Sequence, residues 1–583
     1  MTMTSFGADV VEPGRLKFRF WAPDCDSVSV EIEGRDVVMH RDGDGVFEVL
    51  TSGKPGDRYK YRVSPDLAVP DPASRRQSGD VHGHSVVVDP NYQWSQTEWR
   101  GRAWHETVVY EIHTGAFGGF SGIKSHLPRL AELGITAIEL MPIADFAGQR
   151  NWGYDGVLPY APDEAYGTPA QLKDLIDAAH GFKIQMFLDV VYNHFGPDGN
   201  YLSVYASSFF DPEIHTAWGN AINFKEPHVR RFFIENAIYW LTDYRFDGLR
   251  FDAVHAINDD EFLLEISAAI RNAIPDRHVH LILENENNDA SLLRQAPSDQ
   301  KFDAQWTDDW HHCLHVLLTG EREGYYEDFQ NPAAQLARCL AEGFAYQGEP
   351  SPHANNKPRG TPSAHLPPSS FVICLQNHDQ IGNRAMGERL TTLATSESLH
   401  AAIVLLLLTP QIPMLFMGEE WGETRPFLFF TDHHDELADA VRNGRRKEFA
   451  HFTAFTDPDK REKIPDPNAR ETFDASVPEF LDELSDGQIK TIEFYRRCLA
   501  LRAKFLVPHL TGTRSISATA IGRTGVQAQW CMGDGKTLTV AANFGDMGMS
   551  FNGGTGPVLF STTGDEPQRN ELPPRSAFVW LAS

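Results

Sequence analysis

A (β/α)8 TIM barrel, with an N-terminal β-sandwich domain and a C-terminal β domain, is the α/β fold class that this sequence predicts. Three observations predict it. From Trp104 onward, apolar strand-like runs alternate with amphipathic helical stretches, as in a parallel sheet with crossover helices. Eight such runs occur, at 108–113, 137–142, 184–194, 246–253, 279–284, 302–306, 371–379 and 413–420. No glycine-rich phosphate loop follows the first, as it would in a doubly wound open sheet, the alternative architecture.

Residues 1–100 are read as the sandwich. Stretches 16–23 and 28–32 alternate apolar and polar residues, and Gly56-Asp-Arg-Tyr-Lys-Tyr61 supplies a turn and a further strand. Exposed aromatics here could bind carbohydrate, but packing against a neighbour is the expected role. The barrel spans 101–508. Between its strands, Leu172, Leu175, Ile176 and Ala179 mark one helix and 229–244 another. Long loops are expected at 196–227 and at 347–369, the latter rich in Pro, Asn, Ser and Gly and read as mobile. A helix at 489–506 closes the barrel region. Residues 509–583 alternate again and are read as a structural β domain.

Composition narrows the function. A formal net charge of -28 argues against nucleic acid or an anionic membrane as the main partner. The stretch 399–418 is apolar enough to imitate a membrane span. Pro410, Gln411 and Pro413 break it, so a buried helix, a turn and a buried strand are expected. Cys25, Cys313, Cys339, Cys374, Cys498 and Cys531 include no CxxC pair and read as reduced thiols. The stretch Met1 to Asp9 is neither basic nor apolar, so no signal peptide is expected, and the reading is cytoplasmic.

The chemistry starts from Phe246-Asp-Gly-Leu-Arg-Phe-Asp-Ala-Val-His255. In a strand, Gly248, Arg250 and Asp252 share one face. A buried Arg and Asp together are either a structural ion pair or a carboxylate held ionised for nucleophilic attack. Other strand ends decide between these, because a barrel carries its chemistry at the C-terminal ends of its strands. Those ends present Asp189 and His194, Arg250 and Asp252, Glu284, and His378 with Asp379. Asp252 and Glu284 plus Asp379, with two histidines, an arginine and no thiol-rich ligand set, suit glycoside hydrolysis by a retaining carboxylate pair. Asp252 is then the nucleophile, kept ionised by Arg250. Glu284 ends an apolar run and is expected to be enclosed and held protonated as the acid. Glu286, on the same face, is the alternative acid. Asp379 binds sugar hydroxyls.

Asp189-Val-Val-Tyr-Asn-His194, Gly248 to His255, Leu283-Glu284-Asn285 and Gln376-Asn-His-Asp379 resemble, in order, the four signature regions of the α-amylase family of glycoside hydrolases. The resemblance implies Asp252 as nucleophile, Glu284 as acid/base and Asp379 as transition-state stabiliser. It implies sugar contacts for His194, Arg250 and His378, and stacking of Tyr154 on the sugar beside the cleavage point. Asp189, His255, Asn377 and Gln380, in or beside these segments, are carried as substrate-binding. Phe18-Arg-Phe-Trp-Ala-Pro23 and Asp71-Pro-Ala-Ser-Arg75 resemble the N-terminal module of the branching, debranching and trehalose-releasing members. Trp306-Thr-Asp-Asp-Trp-His-His312, Phe416 to Glu423 and Pro426 to His433 are most similar to the trehalose-releasing members. Hydrolysis of the α-1,4 bond next to the terminal trehalose of maltooligosyl-trehalose is therefore expected, with glucan branching as the alternative. Maltooligosyl-trehalose and related α-glucans are the expected partners. The segment Asp308 to His312, with Asp309 and His311, is implied to hold the trehalose end. His311 and His315 have metal-pair spacing without a third ligand, and Asn193 matches one calcium ligand of many amylases without the others. No metal or cofactor is expected.

Overall fold

The computed structural model describes residues 5–216, 219–296, 299–480, 484–564 and 570–582. Residues 1–4 of the N-terminal stretch discussed above lie outside them. Eight parallel strands close into a barrel in chain order. They are β1 (Val109–Ile112), β2 (Ala137–Leu140), β3 (Gln185–Val190), β4 (Gly248–Phe251), β5 (His280–Leu283), β6 (Ala304–Trp306), β7 (Phe371–Cys374) and β8 (Ile412–Phe416). Seven of the eight predicted runs contain one of them whole, and the eighth, 413–420, begins one residue inside β8. All but the sixth overreach at the C-terminal end, most at β3, β7 and β8. There the backbone leaves the ladder before the predicted run ends: after β7, Asn377 caps the short helix His378–Gly382.

The lower barrel interior is filled by Val109, Ala137, Phe187, Ile282, Ala304, Val372 and Ile412, with Trp104 beneath and Trp306 above. Gly248 is required by this packing. A Cβ there would meet Phe187 Cδ1 at 2.8 Å and the His280 carbonyl oxygen at 2.7 Å. Higher up the interior turns polar, with Glu111, Glu139, Asp189 and Arg250 all buried.

The N-terminal region forms two antiparallel sheets. Phe20 stacks on Tyr61 at 4.1 Å, and Phe18 lies edge-on to Tyr59, so these aromatics serve the core. The Asp71 to Arg75 segment has a clear structural use. Asp71 accepts from the Tyr59 hydroxyl at 2.7 Å, and Arg75 lies over Tyr160 and Tyr239 of the barrel at 5.1 and 4.7 Å. The apolar stretch resolves as the buried helix Ser396–Leu407 followed by β8. Among the described residues no helix is long and apolar enough to cross a membrane. The helix expected at 489–506 is Asp486–Leu501, with a Ser485/Gln488 capping box, and a π turn continues to Leu506. A five-stranded antiparallel sheet follows.

The loop expected to be mobile is built otherwise. Glu349–Ser351 and Lys357–Arg359 pair as a hairpin, and the hairpin leans on the barrel mouth. Asp309 anchors it by an ion pair to Arg359 of 2.9 Å.

Candidate active site

The strand ends converge on a cavity of about 500 Å³ at the C-terminal mouth of the barrel. Its wall includes Asp252, Glu284 and Asp379, delivered by β4, β5 and the turn after β7. Tyr154, His194, His255, Asp308, His312 and Gln380 also line it. Asp189, Arg250 and His378 lie behind that wall and support it. Asn377, Asp309 and His311 do not line the cavity. Asn377 Oδ1 accepts from the Asp379 and Gln380 amides. Asp309 Oδ2 accepts from the Ala345 amide at 2.8 Å, which fixes the hairpin side. His311 Nε2 meets the Tyr326 hydroxyl at 3.1 Å.

Arg250 organises the centre. Its side chain is fully buried, and its Cζ sits 4.1 Å from the centre of the Trp306 ring. Nη1 donates to Asp189 Oδ2 at 2.7 Å and to Asp252 Oδ1 at 2.9 Å. Nη2 pairs with Glu284 Oε2 at 2.8 Å. One guanidinium thus touches both members of the carboxylate pair. Asn193 donates to the other oxygen of Asp252, Oδ2, at 2.7 Å. Both Asp252 oxygens therefore face donors.

Glu284 is not enclosed by apolar side chains as expected. Its side chain is 18% exposed, and its carboxylate pairs with Arg250 and accepts the Ala253 amide at 2.8 Å. That amide is aimed by a left-handed backbone at Ala253, with φ of 40°, a conformation strained for a residue with a Cβ. β5 ends one residue before Glu284, so the apolar run ends where the side chain emerges into the mouth. Glu286 sits at the rim, 63% exposed, with Oε2 3.6 Å from His255 Nε2.

Tyr154 spans the floor. Its hydroxyl lies 2.6 Å from Asp189 Oδ2 and 2.8 Å from His378 Nε2, and its ring stacks on His378 at 5.1 Å. His194 Nε2 meets the Tyr154 carbonyl oxygen at 2.9 Å. Burial raises Asp189 to about 7 despite Arg250 beside it. Burial, with Glu284 and Asp379 near, pushes Asp308 up to about 8. Burial holds His194 below its ordinary value, and His311 and His312 well below theirs, so the last two are neutral at pH 7. The mouth is rich in acids, with Asp155, Asp328 and Glu286 beside those already named. Such a lining disfavours anionic ligands and suits a neutral polyol, whose hydroxyls donate to carboxylates.

Several residues here were invisible to sequence reasoning. Glu111 and Glu139 are inward-facing acids in the middle of β1 and β2, directly paired in register. Strand alternation could have found them, since each shares a face with apolar interior residues two positions away. Arg359 and Tyr325 line the far wall from elements with no readable periodicity. Among the described residues no group of three or more His, Cys, Asp or Glu side chains is placed to hold a metal ion.

A closed eight-stranded barrel with an acid-lined mouth is the architecture of the α-amylase-type glycoside hydrolases, and the family model "Alpha amylase, catalytic domain" matches residues 90–218. A second model, "Domain of unknown function (DUF3459)", matches residues 513–579. The chain is 41% identical over 517 residues to the malto-oligosyltrehalose trehalohydrolase of Deinococcus radiodurans, covering 87% of this chain and 84% of that one. It is 37% identical to the enzyme of the same name from Rhizobium sp. strain M-11, over 99% of this chain and 100% of the other. A crystal structure from Salmonella typhimurium superimposes with a TM-score of 0.95 at 45% identity, covering 100% of both chains. The chain belongs to the malto-oligosyltrehalose trehalohydrolase family.

Proposed function

We propose that this mouth hydrolyses the α-1,4 bond next to the terminal trehalose of maltooligosyl-trehalose, releasing trehalose, with Asp252, Glu284 and Asp379 as the catalytic carboxylates. The observation that carries the site assignment is the single buried guanidinium touching Asp252 and Glu284 together. Asp252 attacks the anomeric carbon. Glu284 protonates the leaving glycosidic oxygen, then takes a proton from the incoming water, and configuration is retained. Glu284 is favoured over Glu286 because it reaches the guanidinium, whereas Glu286 lies exposed at the rim. Asp379 and His378 bind hydroxyls of the distorted sugar, and Tyr154 stacks beneath its ring. Asp308, His312, Gln380 and His255 contact the substrate further along the cavity. Asp189 acts through Tyr154 and Arg250, and His194 through the Tyr154 backbone. Asn377 acts by capping the Asp379 turn; Asp309 and His311 act by fixing the wall that faces the trehalose end.

The division at about residues 100 and 508 belongs to the same reading, supported by the change of sheet type on either side of the barrel. So does a cytoplasmic location, supported by six cysteines that are all free thiols.

The test is product analysis of the full chain on maltopentaosyl-trehalose. Trehalose and maltopentaose in equal amounts are expected. New α-1,6 links without new reducing ends, or attack on plain maltooligosaccharides alone, would overturn the reading. Asp252→Asn should abolish turnover while sugar binding and thermal unfolding remain close to wild type.

A further inference from the structure

We propose that Glu111, in the middle of β1, is a positioning residue for this hydrolysis: it holds His378 doubly protonated, with the Nε2–H edge turned toward Tyr154 and Asp379. The proposal rests on the reading of this mouth as the catalytic centre and goes beyond it, because Glu111 lines no part of the cavity.

Hydrogen-bond direction alone leads there. The Tyr154 hydroxyl has one proton. It lies 2.6 Å from Asp189 Oδ2, an oxygen that also receives Arg250 Nη1 at 2.7 Å. A hydroxyl donating to Asp189 must accept at its own oxygen, and the group facing it is His378 Nε2 at 2.8 Å. Nε2 therefore carries a proton. Nδ1, at the other side of the ring, faces Glu111 Oε1 at 2.5 Å and carries the second. Glu111 Oε2 also accepts the His378 backbone amide at 3.2 Å, so the carboxylate grips both the ring and the turn that bears it. Both side chains are 1% exposed.

The charges facing His378 agree. Burial works against its proton, but Asp379 and Glu111 carry it up to about 9, with Arg250 of β4 opposing. Glu139 of β2 is pushed well above its ordinary range by burial, helped by Asp189 and Glu111, which favours its neutral form. His113, past the end of β1, is pushed down to about 4 by burial and is neutral as well. Asp189 reaches the ring only through Tyr154. Asp379 and Glu111 are thus the acids that favour the ring's proton among the groups named. The result is a fixed cation whose Nε2 lies 3.4 Å from Asp379 Oδ1. It orients that carboxylate before any sugar arrives.

The test uses the full chain with Glu111→Gln and Glu111→Asp, followed by kcat/KM against pH on maltooligosyl-trehalose. A second readout is the ring-carbon NMR signal of His378, assigned by its loss in His378→Gln. In the wild type this signal should stay that of an imidazolium through pH 8. In Glu111→Gln its titration should fall by one unit or more, and kcat/KM should drop about tenfold further at about pH 8 than at about pH 5.5. Glu111→Asp should restore much of the wild-type profile. A wild-type His378 titrating at or below neutrality, or a loss in Glu111→Gln of equal factor at every pH, would overturn the proposal. The wild-type titration decides even where the Gln variant does not fold. It needs no turnover, so its failure is distinct from a failure of the catalytic assignment, which Asp252→Asn reports.

Discussion

Asp308 shows how far burial can move one carboxylate. It lies in the cavity wall with Glu284 and Asp379 near, and burial with those neighbours pushes it from 3.8 up to about 8. At pH 7 it is therefore mostly a neutral donor, able to bind a sugar oxygen. The sign of its linkage to stability follows. The native state binds this proton more tightly than the unfolded chain, so stability is lost as pH rises from about 4 to about 8. Asp308→Asn removes that loss. Its melting temperature relative to wild type should rise across that window and level off above it. A difference that stays flat with pH would show that Asp308 is ionised in the native state.

At the scale of elements, every barrel strand was readable because each is a short apolar run between turn signals. The ends were less readable. A run such as 184–194 crosses from ladder into loop without a change in hydropathy, and only the hydrogen bonds stop at Val190. Acids at strand ends were legible as chemistry because the barrel rule gives them meaning. Glu111 and Glu139 were not, since a lone acid inside a strand reads as a solvent-facing position until the barrel closes over it. The 349–359 hairpin was missed because Pro, Asn and Lys hide its alternation. Gly248 illustrates how packing writes itself into sequence: Phe187 fills the space where a Cβ would go. Gly248→Ala should cost roughly 1–3 kcal/mol by overpacking, read as a lower midpoint in urea unfolding. An unchanged midpoint would mean that β3 and β4 can separate freely.

For the whole molecule, the three regions have different tasks. The N-terminal sheets pack Phe18 against Tyr59 in their own core and grip the barrel through Arg75 and through Trp21, which stacks on His228 at 4.9 Å. The C-terminal sheet packs beside the helix Ser396–Leu407, where Ser398 Oγ donates to the Phe544 carbonyl at 3.2 Å. Among the described residues, neither contributes a side chain to the cavity wall. On the proposed reading, catalysis belongs to the barrel mouth and to the carboxylate beside Arg250 proposed to become bonded to the sugar. The most direct measurement is to trap that bond with a fluorinated glucosyl fluoride, which slows the second step, and to map the labelled peptide by mass spectrometry. The sugar is expected on Asp252. A label on Glu284, Glu286 or any other residue, or saturating substrate analogue with no label at all, would contradict the account.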